Sequence, residues 1–404
     1  MNVKLSNLGP GVIVTAAFVG PGTIATATHA GANYGFSLLW ALIFSIGATI
    51  VLQEMAARLG LVTRKGLGEA IRDILPHGPL KSISITLVVV AIGFGNAAFQ
   101  TGNISGAAMA LESIFMYETP IFALAIGTIA ALLLLTSSYS LVERILILLV
   151  LTMSSIFLLT SLIILPDIFP LIKTTVIPKN LSSNSAITAV ALIGTTVVPY
   201  NLFLHSKAVS EKWPETISPD EAITQSRMDC GISIGVGGLI TLAIMSTSAV
   251  AFFGTQIQVS TELVSKQLEP LLGSASIYIF SAGLFASGLT SAITAPMAAA
   301  YAVSGVMGWQ NSMSSNKFKY VWFSVLFLGT ALASQNFNPI KAIVIAQVAN
   351  GILLPLITIF LLIVMNSSLL PKRHRNGLIA NLLGILAICL IAIITISKLP
   401  SFLN

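Results

Sequence analysis

Charge is what this chain has least of. Of its 404 residues only 8% are Asp, Glu, Lys or Arg, against 55% that are hydrophobic, and its mean hydropathy is +0.93. A water-soluble domain carries about 25% charged residues, so the composition excludes one and indicates a polytopic membrane protein. Cysteine is scarce as well. Cys230 and Cys389 lie far apart in apolar runs, which argues against a disulfide, and their number excludes a metal cluster. Only Lys4 precedes the first apolar run. That run continues for about 20 residues, so no cleavable signal is expected. The formal net charge of +6 would suggest a nucleic-acid partner in a soluble protein. Here it reads as loop charge, and no nucleic acid is expected. No nucleophile, base and acid can be grouped from the apolar runs, so no enzyme is expected either.

What is present is a series of apolar runs. Eleven spans are expected, at 9–31, 36–60, 83–112, 120–139, 144–165, 186–210, 229–256, 274–306, 319–335, 338–364 and 376–398. With the N-terminus inside, fifteen Lys and Arg fall on the cytoplasmic side and only Lys173, Lys179, Lys266, Lys341 and Lys398 outside. Such asymmetry orients the chain, with its C-terminus outside, in a plasma (inner) membrane. The loops are short, so residues 1–404 read as one transmembrane domain.

Two spans are interrupted. The first carries Val19-Gly20-Pro21-Gly22-Thr23. A Gly-Pro-Gly run removes a backbone donor, clashes with the preceding turn and strips side chains from its neighbours. Broken backbone at membrane depth is tolerated only where it is buried in protein or lines a cavity. The sixth carries Thr195-Thr196-Val197-Val198-Pro199-Tyr200-Asn201. The two interruptions lie five spans apart, and an odd offset reverses membrane orientation. Spans 1–5 (about 9–165) and 6–10 (about 186–364) therefore read as inverted repeats, with 376–398 as an extra span. Matched interruptions in two halves point to a transporter binding site.

Longer runs carry a family resemblance. The second-span run Leu52-Gln53-Glu54-Met55-Ala56-Ala57-Arg58-Leu59-Gly60-Leu61-Val62-Thr63 and the sixth-span run from Ala191 to Ser206 resemble the Nramp family of proton-coupled divalent-metal transporters. The likeness extends over spans 1 to 10. It implies an all-α, LeuT-like fold of 5+5 inverted repeats, shared with neurotransmitter:sodium symporters, plus an eleventh transmembrane helix.

The departures bear on function. Where the family's metal transporters carry Asp-Pro-Gly-Asn in span 1, this chain has Gly20 and Thr23 at the Asp and Asn positions. Where they carry Met-Pro-His in span 6, it has Val198 and Tyr200. Gln100 and Asn103 stand where span 3 carboxylates are expected, while Gln347 matches the family glutamine that approaches substrate. A divalent ion and one carboxylate about 4 Å apart attract by roughly 8 kcal/mol at an effective dielectric of about 20. Gly20 supplies none of that, and Val198 supplies no thioether. The in-span histidines, His29 and His205, read as hydrogen-bonded structural residues, His205 at a family position linked to protons or gating. Glu54 is expected to pair near the cytoplasmic end, since an unpaired charge there would cost about 2.5–3.5 kcal/mol.

Without the acid the sign of the site inverts. Helix restarts near Gly22-Thr23 and Tyr200-Asn201 present amides and a partial positive dipole, which favour anions. Thr23, Thr195, Thr196, Tyr200 and Asn201 add neutral polar groups around Gly20, Pro21, Gly22 and Val198. In span 8, Ser287-Gly288-Leu289-Thr290-Ser291 resembles the sodium-binding Ala-x-x-Thr-Ser run of the neurotransmitter:sodium symporters. That resemblance implies Na⁺ ligation by Ser287, Thr290 and Ser291 with span 1 carbonyls such as those of Ala17 and Gly20. Residues at i, i+3 and i+4 share one helix face.

The leading expectation is therefore a Na⁺-coupled symporter of a small anion, bicarbonate first, with small carboxylates and amino acids behind it. Apart from Na⁺ as coupling ion, no cofactor is expected. The alternatives are a divalent-cation transporter (Mg²⁺ or Mn²⁺) with an unusual site, and a non-transporting sensor or scaffold. A polar network of Gln100, Asn103, His205 and Glu54 accompanies each reading.

Overall fold

The structure, a computed structural model, describes residues 19–136, 140–164, 182–214, 216–255, 261–335 and 338–398. The first half of span 1, with Ala17, and the connector over 165–181 lie outside the described residues. The helices are α1 (Pro21–Tyr34), α2 (Leu39–Thr63), α3 (Leu67–Ile74), α4 (Pro79–Phe115), α5 (Thr119–Leu135), α6 (Ser140–Ile163), α7 (Ser183–Thr196), α8 (Pro199–Lys212), α9 (Pro219–Phe252), α10 (Thr261–Lys266), α11 (Glu269–Leu272), α12 (Ser276–Met307), α13 (Asn316–Ala333), α14 (Pro339–Asn366) and α15 (Leu378–Lys398). Among the described residues eight helical stretches are long and apolar enough to cross a membrane. Each expected span has its helix, and the sixth is split into α7 and α8.

Proline marks many of these starts. It occupies the first turn of α1, α4, α5, α8, α9 and α14, where an absent N–H costs nothing. For the same reason α1 and α8 begin at Pro21 and Pro199, a residue or two earlier than the restarts expected from composition. Ser182, Ser218 and Asn338 cap α7, α9 and α14 by accepting from the amides of Ser185, Glu221 and Lys341.

Close helix approach depends on glycine. A Cβ on Gly31 of α1 would lie 2.3 Å from the Met245 carbonyl of α9, one on Gly60 of α2 would lie 2.0 Å from the Ser206 carbonyl of α8, and one on Gly194 of α7 would lie 2.1 Å from the Gln347 carbonyl of α14. In lipid no hydrophobic force draws helices together, so small residues at contact faces supply the packing. Helix α15 sits at the periphery on α14 and α7, and its Leu378, Ile379, Ile393 and Ile396 are exposed.

Two features escaped the sequence reading. Helix α3 is short and amphipathic, and it lays Leu67, Ala70 and Ile71 into the core beside α12. Its signal was local: Gly66 at the N-cap and Glu69 in the first turn, whose carboxylate accepts from the Gly66 amide. Helices α10 and α11 fold into what composition presents as a plain connector. Just beyond α10, buried Gln267 donates to Thr28 Oγ1 and accepts from Thr247 Oγ1, joining α1 to α9.

Gly194→Ala is expected to destabilise the protein by about 1–3 kcal/mol, the usual cost of overpacking, because the obstruction is backbone that cannot turn aside. Gly47→Ala, which meets nothing within 4 Å, should leave stability unchanged or raise it slightly. Melting of the detergent-solubilised variants checks the pair; equal melting temperatures would remove the close-approach argument.

Candidate functional site

The two breaks meet at one residue. The side chain of Gln347, on α14, lies against Gly22 so closely that a Cβ there would sit 2.1 Å from Nε2. The carbonyl of the same residue abuts Gly194, just before the second break. Thr23 and Thr195, from opposite breaks, share a hydroxyl hydrogen bond of 2.8 Å. Pro21 in turn rests on Gly106 of α4. Gly22 and Gly194 thus meet at Gln347, and Thr23 and Thr195 join the two interruptions directly.

Backbone at the breaks is only partly self-satisfied. Gly20 accepts from Ile24, Val198 accepts from Asn201, and Ile193 accepts from Val197. Neither N-cap residue, Gly20 or Val198, supplies a side-chain acceptor to the amides of its helix's first turn.

The surrounding side chains are buried, neutral and short of partners. Tyr200 Oη, both amide atoms of Asn201, both amide atoms of Asn103, Gln100 Oε1 and Gln347 Nε2 are buried without a protein hydrogen bond. Gln100 spends its Nε2 on the Ala292 carbonyl, Thr196 spends its hydroxyl on Leu192, and the Gln347 Oε1 accepts from Asn350. The Tyr200 ring packs on Phe99 at 5.2 Å, which sets it next to the Gln100–Asn103 turn of α4. Buried polar atoms normally find partners, so this many in one region leaves hydrogen-bonding capacity open there. Among the described residues no group of three or more His, Cys, Asp or Glu is placed to hold a metal ion.

The expected sodium ligands sit on α12. Ser287 and Thr290 donate their hydroxyl protons to the Leu284 and Ala286 carbonyls, while the buried Ser291 Oγ has no partner. Hydroxyls tied down in this way turn lone pairs outward, the polarity a cation needs. Gly288, on the same turn, lies against the Asn103 carbonyl and Ala107 of α4, the helix on which Pro21 also rests. Ala17 lies outside the described residues.

The histidines divide. His205 Nδ1 is 3.0 Å from Gln53 Oε1, an acceptor, so Nδ1 carries the proton and Nε2 remains a buried acceptor without a partner. The hydrogen bond expected for His29 is corrected: its Nδ1 is buried and unpartnered, and the ring meets Tyr34 edge-on at 6.3 Å. Glu54 pairs as expected. It accepts from Arg58 at 3.0 Å and from Arg227 at 2.8 Å, away from the breaks. Gln53 was read only as part of the second-span run, and Gln267 was missed because an isolated glutamine carries no motif.

Comparison with known proteins bears on identity. The divalent metal cation transporter MntH of Pectobacterium carotovorum is 26% identical over 352 residues, covering 86% of this chain and 82% of that protein. A crystal structure of the Eremococcus coleocola manganese transporter, in complex with an aromatic bis-isothiourea substituted compound, superposes with a TM-score of 0.77 at 20% identity, over 96% of this chain and 85% of that one. MhsT in complex with L-phenylalanine superposes with a TM-score of 0.59 at 15% identity, over 98% and 99%. These neighbours share the LeuT-like fold. The family model described as natural resistance-associated macrophage protein-like matches residues 11–400. This chain is a multi-pass membrane protein of the Nramp family, a family of transporters and not of enzymes.

Proposed function

We propose that this Nramp member is a secondary transporter whose cargo binds between the two breaks. One observation carries the proposal: the first turn of α1 at Gly22 and the last turn of α7 at Gly194 both lie against Gln347, and the side-chain polar atoms of Tyr200, Asn201 and Asn103 are buried without a hydrogen bond. None of these groups is charged.

Two observations bear on the cargo and point in opposite directions. The relatives are named for divalent metal cations and manganese, which favours the divalent-cation alternative over the anion put first above. Nothing among them supports sodium, bicarbonate or any anion. The chemistry of the site itself favours the opposite sign. No carboxylate or thioether stands at Gly20, Val198 or Tyr200, and two helix N-termini add partial positive charge. On that chemistry we favour a small anion, bicarbonate first, moved together with Na⁺ held by Ser287, Thr290 and Ser291. Na⁺ on hydroxyls and carbonyls beside an anion on half-helix ends is a division of labour this architecture uses. Should the cargo be a divalent cation, neutral oxygen ligands suit a hard, partly hydrated ion such as Mg²⁺ better than Mn²⁺ or Fe²⁺.

Sealed liposomes holding the purified protein decide between the signs. We expect labelled bicarbonate to accumulate under an inward Na⁺ gradient and not under K⁺. Saturable Mg²⁺ or Mn²⁺ uptake indifferent to Na⁺ would establish the divalent reading and overturn the anion. Silence to every solute by a folded protein would leave a sensor or scaffold.

The coupling ion has a separate test. Thr290→Ala combined with Ser291→Ala should abolish the Na⁺-dependent rise in melting temperature. At a hundredfold excess over the dissociation constant that rise reflects about 2.7 kcal/mol. If it survives the double change, sodium binds elsewhere or not at all.

A further inference from the structure

Away from the breaks, a group of arginines gathers around Glu54. Its frame is Glu54. One carboxylate oxygen accepts from Nε and Nη2 of Arg227 on α9, and both oxygens accept from Arg58 one turn along α2. Arg58 is almost fully buried and fully used: it also donates to the carbonyls of His374 and Arg375 and to Asn376 Oδ1. The link that leads into α15 is thereby fastened to α2, and α2 to α9.

Two cavities meet at this frame. On one side an apolar groove of about 780 Å³ runs between α2, α9 and α15, lined by Ile50, Val51, Leu378 and Leu383 and closed at its end by Glu54 and Arg227. On the other a polar cavity of about 380 Å³ is lined by Arg58, Arg227, Arg373 and Arg375, with Glu54 and Asp220 as its only carboxylates. Glu54, Arg227, Gly377 and Ala380 line both, so the two are continuous. The polar cavity has more cations than anions, and Arg58 alone among the cations is buried and saturated. Arg227 keeps Nη1, and Arg375 spends only its Nε, on the Leu370 carbonyl. The Arg227 and Arg373 side chains are 57% and 68% exposed; Arg373 pairs with Asp220 at 3.6 Å through Nη1 and donates its Nε to His374, leaving Nη2 free.

We infer that this is a binding site for an anionic glycerophospholipid, its phosphate among Arg227, Arg373 and Arg375 and an acyl chain along the groove of α2, α9 and α15. Charge complementarity selects the head, and continuity with an apolar groove selects an amphiphile over free phosphate. Basic pockets between transmembrane helices are suited to such headgroups, and guanidinium groups bind phosphate in bidentate fashion. Because the link before α15 and the Glu54–Arg227 bridge form the walls, the lipid would staple α15 to α2 and α9.

Native mass spectrometry and melting of the detergent-solubilised protein test the inference, with phosphatidylglycerol, phosphatidylcholine and inorganic phosphate as probes. Phosphatidylglycerol is expected to bind and to raise the melting temperature; phosphatidylcholine and phosphate are not. Arg227→Gln with Arg375→Gln should weaken phosphatidylglycerol binding about thirtyfold, which is about 2 kcal/mol or two surface cations. Lys341→Gln, a cation in the first turn of α14, should leave it unchanged. If the double variant fails to fold, Val51→Trp fills the groove without touching the cations and should weaken the lipid in the same assay. Equal binding of phosphatidylcholine, an equal rise from phosphate alone, or unaltered lipid binding in these variants would overturn the proposal.

Discussion

The structure depends on one constraint: broken backbone inside a membrane must be enclosed by other backbone. Helices α1 and α8 begin at Pro21 and Pro199, and at membrane depth water cannot satisfy the backbone groups such a start leaves open. The molecule meets this by bringing α14 to both breaks through a single residue, Gln347, whose side chain covers Gly22 and whose carbonyl lies on Gly194. Neither approach is open to a residue with a Cβ. The glycines beside the interruptions therefore permit the packing that encloses them. The Thr23–Thr195 hydrogen bond ties the two halves of the repeat directly to each other at that point.

Around this junction polarity is present without charge. Tyr200, Asn201, Asn103 and Gln347 are buried with unused hydrogen-bonding atoms. Charge is instead concentrated at one end of the bundle, where Glu54 and Arg58 are paired and held by backbone carbonyls. A buried ion pair of that kind is retained at a cost in desolvation. Its geometry connects α2, α9 and the link into α15. The neutral junction and the charged clamp are thus separate solutions to polarity in a low-dielectric interior. One leaves valences open, and the other fills nearly all of them.

The sequence made the interrupted spans legible because proline and glycine act on the backbone locally, whatever the tertiary context. The same holds for the eleven spans and the Glu54 pairing, since length, hydropathy and the cost of a lone charge need no partner to be read. The short helices α3, α10 and α11 were less visible. Each is too brief for a periodic signal, and each is stabilised by what it packs against.

Sequence by itself determined that the chain is a helical membrane protein with two broken spans and no acid at Gly20, because composition and backbone stereochemistry act within a few residues. Only tertiary structure decided that Gln347 joins both breaks, that Gln53 holds His205, that Gln267 bridges α1 and α9, and that His29 lacks the bond expected of it. Those are contacts between residues far apart along the chain. Their formation is set by how closely helices approach and by which polar atoms remain unpaired once they do.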